Sequence, residues 1–133
     1  MSARAGNAGG VATEFAISVG VVLILMGAVI DVGRLFATQH ALDYGVERAS
    51  RYAAVNSASA TTATIKSQLV AAITPAVGAS RAAAAVVSVT FAPSYKVGGT
   101  VTVSVTLGWS AAAVIDALPA IDLNSSQTLT VQH

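Results

Sequence analysis

Few residues in this chain are of types that could do chemistry, and the one whose setting demands an account is Glu14. It stands at the head of a run from Phe15 to Ile30 that has no charge and only one polar side chain, Ser18. An ionised carboxylate in a membrane helix costs about 2.5 to 3.5 kcal/mol at the centre and less near an end, so something should compensate it. One account places Glu14 in the first turn, where the helix dipole favours a negative charge. The other gives it a cationic partner, such as a free amino terminus on this or a neighbouring subunit. The remaining groups form no catalytic pattern. Ser18 has no base near it, Asp116 and Asp122 are separated by apolar residues, and His40 falls on a predicted exposed helix face. Gly6-Asn7-Ala8-Gly9-Gly10 lacks the Lys and Ser/Thr of a phosphate loop and follows no strand. With no cysteine and only His40 and His133, thiol chemistry is excluded and a metal centre is not expected. The expectation is a protein without catalytic activity, cofactor or metal.

Composition narrows the class further. Of the 133 residues, 54% are hydrophobic and 10% charged, the formal charge is +1, and the mean hydropathy is +0.70. Disordered chains have the opposite balance. No basic field is available to hold a phosphate backbone, so nucleic acid is not an expected partner. The run to Ile30, extended back through Gly10-Val11-Ala12-Thr13, gives about 20 residues, which as a helix rise roughly 30 Å and match the hydrocarbon core of a bilayer. A secretory signal would have a shorter apolar stretch and a cleavage site after it. Here Gly27-Ala28-Val29-Ile30-Asp31 passes directly into further helical pattern, which favours a retained membrane helix. Ala12, Ala16 and Gly20 recur at intervals of four, with Gly27 seven later, a stripe that lets another helix approach closely.

The elements that must position these residues follow from periodicity. From Asp31 to Val55 the helical spacing continues, with Leu35, Leu42, Val46, Ala49 and Ala53 on one face and Arg34, Gln39, Asp43, Glu47, Arg48 and Arg51 off it. Asp31 and Arg34 suit an ion pair at the membrane exit, and Glu47 and Arg51 one at i and i+4. Residues 56–62 read as a linker, and Thr62 to Thr74 as a second helix buried through Ile65, Leu69 and Ile73 and ended by Pro75 and Gly78. The period then changes to two. Val87-Ser88-Val89-Thr90-Phe91 and Thr100 to Leu107 read as strands about a Pro/Gly loop, and Thr128 to Gln132 as a third. Trp109 to Asn124 reads equally as a short helix or a packed loop. The expected class is α+β. A long N-terminal helix, membrane-spanning then amphipathic, joins a short helix packed on a small antiparallel sheet of about three strands.

Gly9-Gly10-Val11-Ala12-Thr13-Glu14-Phe15 before an apolar run resembles the processing site of type IV pilins, particularly the Flp and TadE-like group. Residues 30–36, 39–42 and 47–53 are similar to the TadE-like pattern as well, and the late strands sit where that family has a small sheet. Several expectations follow from the resemblance. Residues 1–9 form a leader cut after Gly9 by a prepilin peptidase, with Gly10 at the scissile bond, Glu14 fifth in the mature chain and Phe15 beside it. Residues 10–33 form the transmembrane helix and 34–133 an extracytoplasmic domain, anchored in the bacterial inner membrane with the N-terminus cytoplasmic. Partners are other pilin or pseudopilin subunits, the inner-membrane assembly platform and the lipid bilayer, in a tight-adherence pilus or related secretion machine. The rival reading is an unprocessed single-pass protein whose outer domain is a binding module.

Overall fold

The computed structural model describes residues 8–94, 96–112 and 120–132. One helix, α1 (Ala8–Val55), takes 48 residues, about 70 Å at the rise of an α-helix. The linker 56–61 leads into α2 (Thr62–Val77), then α3 (Ala79–Ala83), β1 (Val86–Ala92), β2 (Thr100–Trp109) and β3 (Ile121–Thr130). This is the α+β arrangement expected, with the three strands antiparallel in the order β1-β2-β3.

The turn into α2 has a local cause. Thr61 is the N-cap, its hydroxyl accepting from the Thr64 amide while the Thr64 hydroxyl accepts from the Thr61 amide. This reciprocal box satisfies donors that a helix start leaves unpaired. Pro75 does not end the helix, which runs on to Val77; Gly78, at φ +85°, closes it, its amide donating to the Thr74 carbonyl. The short α3 that follows was not foreseen, since five residues are too few to show a helical period.

Alternation builds the sheet. In β2 the odd positions Val101, Val103, Val105, Leu107 and Trp109 are buried, while Thr100, Thr102, Ser104 and Thr106 face outward. Across the outer face the Thr102 and Thr128 hydroxyls lie 2.8 Å apart, and Thr106 donates to Asn124 Oδ1 at 2.7 Å. The third strand starts earlier than expected and ends at Thr130, with Trp109 opposite Ile121 and Val101 opposite Leu129. Its inward positions Ser125 and Gln127 are polar and half-buried, so no apolar alternation announces them. The strands thus claim both ends of the stretch Trp109 to Asn124, and residues 113–119 lie outside the described ones.

The core forms where α1, α2 and the inner sheet face meet. Leu42, Ala49, Ala53, Ile65, Leu69, Ile73, Val101 and Val103 are fully buried. Each large aliphatic side chain so buried contributes about 1.5–3 kcal/mol. Small residues set the spacing of the helices, for a Cβ on Gly45 would lie 2.5 Å from Ile73 Cγ2. Gly99 at the hairpin is equally committed, because a Cβ there would collide with the Ser94 carbonyl oxygen.

Candidate functional site

The functional element is α1, which does two different things along its length. From Leu42 to Ala54 one face is packed into the head, and from Val11 to Ile30 most large side chains are bare: Phe15 is 69% exposed, Leu23 61% and Val29 72%. The helix from Gly9 to Val55 is, among the described residues, the one long and apolar enough to cross a membrane. Only 11% of its most apolar window is buried, so it is not the core helix of a folded domain. The same unbroken helix carries Leu42, Val46, Ala49 and Ala53 into the core. The arrangement defines a class of protein: a small α+β head carried on a single apolar helix, suited to single-pass membrane anchoring.

Residues 9–56 of the chain match the Tad family model, described as "Putative Flp pilus-assembly TadE/G-like". The match covers α1 almost entire and stops before α2. Over that stretch the chain is similar to the TadE/G-like family, and the match supports a part in Flp pilus assembly. No curated protein and no solved structure matches the chain.

The residues singled out from the sequence fall at distinct places on this helix. Gly9 and Gly10 lie in its first turn, exposed, and a Cβ added at either would meet nothing within 4 Å. Glu14 is also exposed, but it is not in the first turn: α1 begins at Ala8, which puts Glu14 nearly two turns in and beyond the unpaired amides of the helix start. The dipole account of Glu14 therefore does not hold while the helix extends back to Ala8. Among the described residues no cation lies within ion-pair distance of it, and its main-chain carbonyl accepts from Ser18 Oγ at 2.8 Å. Phe15 projects freely beside it.

The small-residue stripe divides. Ala12 and Ala16 are exposed and Gly20 half-buried, whereas Gly27 is buried within the chain itself. Both expected ion pairs form. Arg34 Nη1 is 3.3 Å from Asp31 Oδ1, and Arg51 pairs with Glu47. His40 is exposed, in keeping with its expected place on the outer face of the helix.

Sequence reasoning missed the second role of Asp31. The residue is 6% exposed and its carboxylate accepts the Ala112 amide at 3.2 Å, tying the segment that follows β2 to the helix just past the uncharged run. No spacing rule could reveal a contact between residues 81 positions apart. The lone sequence signal was an acidic residue placed directly after the apolar run.

Proposed function

We propose that this chain is a pseudopilin or minor pilin, structural rather than catalytic, acting in the assembly, priming or tip of a tight-adherence pilus or a related secretion machine. The observation that carries this reading is a coincidence of position. The TadE/G-like match falls on the helix whose first half is mostly exposed, and that half contains an acidic residue with no cation beside it among the described residues.

In this reading a prepilin peptidase cuts after Gly9, which removes the leader but keeps the helix. The cut has two physical effects. It makes Glu14 the fifth residue, so the carboxylate now stands at the start of the helix, where the dipole favours it. It also creates an amine on Gly10. Glu14 of one subunit pairs with the Gly10 amine of its neighbour, and at low dielectric that charge-assisted contact is far stronger than in water. Ala12, Ala16 and Gly20 let the neighbouring helix approach closely. The head lies outside the cytoplasmic membrane and the leader inside. Other pilin subunits and the membrane assembly platform are the partners.

Replacing Glu14 with Ala separates insertion from assembly. The variant is expected to enter membranes as the wild type does but to lose co-fractionation with other pilin subunits. Co-fractionation at the wild-type level would remove Glu14 from the mechanism, and a wild-type chain that never co-fractionates with pilin subunits would overturn the reading.

A further inference from the structure

The face of α1 that packs into the head does not stop at the membrane exit. Thr38 and Asp31 are each 6% exposed, and Gly27, a full turn inside the uncharged run, is buried. On the other side of the same turn Met26, Val29 and Ile30 are exposed. The buried face of α1 therefore extends four residues into the apolar run, about 6 Å along the helix.

The sheet agrees in level. At its far end, β3 is followed by Gln132, whose amide donates to the Ala54 carbonyl. Nearer the membrane the Asn124 carbonyl accepts from Gln39 Nε2 at 3.1 Å. So β3 runs alongside α1 with its start toward the membrane. Ile121 lies three strand residues below Asn124, about 10 Å. Asp31 lies eight helical residues below Gln39, about 12 Å. The Trp109–Ile121 pair thus reaches the level at which the uncharged run begins, where Asp31 holds the Ala112 amide.

The composition of this end is that of an interfacial surface. Ile121 is 43% exposed, and Ala111, Ala112 and Ala120 flank the pair. Two guanidinium groups border it: Arg34, beside Asp31, and Arg81, whose Nη2 donates to the Gly108 carbonyl at 3.1 Å. Exposed apolar groups with arginines at their rim suit the boundary between acyl chains and anionic headgroups.

We propose that the membrane-proximal end of the head, where Ala112 and Ile121 are exposed over the buried Trp109 and Asp31 struts the end to the helix, is a lipid-contacting surface that seats the subunit on the bilayer. The proposal rests on the single-pass anchoring described above and adds that the head is docked on the membrane rather than held clear of it.

The chain reports on this by itself, since Trp109 is its only tryptophan. The full chain is reconstituted in vesicles of phosphatidylcholine and phosphatidylglycerol carrying phospholipids brominated either high or deep in the acyl chain. Flotation of the vesicles reads insertion, and quenching reads the position of Trp109. The expected result is loss of emission with the shallow label and a smaller loss with the deep one. Ile121→Asp, at an exposed position, should float equally and lose much of the shallow quenching. Floating protein whose Trp109 emission neither label reduces, or an Ile121→Asp variant quenched as strongly as the wild type, overturns the proposal and leaves the anchoring intact. Protein that does not float overturns both.

Discussion

Gly45 is the point at which the packing of α1 against α2 can be tested most sharply. Its Cβ, if present, would sit 2.5 Å from Ile73 Cγ2, about 1 Å inside ordinary contact, and 3.6 Å from the Leu69 carbonyl oxygen. The methyl it meets is fixed on a β-branched carbon of a fully buried residue, so α2 itself must move. Overpacking of this kind costs about 1–3 kcal/mol. Against it, Ala in place of a mid-helix Gly returns about 1 kcal/mol of helix propensity. Gly45→Ala is therefore expected to destabilise the head by about 0–2 kcal/mol, a range too close to zero to be decisive alone. A double-mutant cycle removes the ambiguity. In an Ile73→Ala background the offending methyl is gone, and the same Gly45→Ala change should stabilise by about 1 kcal/mol. The coupling between the two positions is then the overpacking cost itself, about 1–3 kcal/mol. Urea unfolding of the full chain in detergent micelles, followed by Trp109 emission, supplies the four stabilities. Equal effects of Gly45→Ala in the two backgrounds would refute the close crossing at this glycine.

Two further substitutions probe local devices of the same head. Thr61→Ala removes the hydroxyl that accepts the Thr64 amide, leaving the Thr61 amide bonded to the Thr64 hydroxyl, and should lower stability by about 0.5–2 kcal/mol in the same unfolding assay; an unchanged midpoint would contradict the box. Ser50 is fully buried and its hydroxyl has no hydrogen-bond partner among the described residues, so Ser50→Ala removes an unsatisfied group and should be neutral or stabilising by about 1 kcal/mol. A loss of stability would mean that the hydroxyl is satisfied in solution.

What could be read in the sequence was whatever repeats along one element. The stripe Leu42, Val46, Ala49 and Ala53 recurs at helical spacing, and these four are buried. Ile65, Leu69 and Ile73 behave likewise in α2, and the alternation of Thr100 to Leu107 marks the central strand directly. The features that escaped depend on partners far along the chain. The first half of β3 is a strand because β2 pairs with it, although Ser125 and Gln127 occupy its inward positions. Asp31 showed its ion pair with Arg34 through spacing, but its bond to the Ala112 amide required the head to fold back onto the helix. Of the candidate site, the apolar run and the odd placement of Glu14 were legible. The start of α1 at Ala8, which takes Glu14 out of the first turn, was not, because Gly9 and Gly10 carry no strong helix signal.

The central claim is that removing a leader turns this helix into an assembly element whose carboxylate meets a newly made amine. The most direct test is the mass of the mature N-terminus, measured on chain recovered from membranes with and without a prepilin peptidase. The account predicts a chain beginning at Gly10 only when the peptidase is present. A functioning chain that still carries Met1 through Gly9 would contradict it.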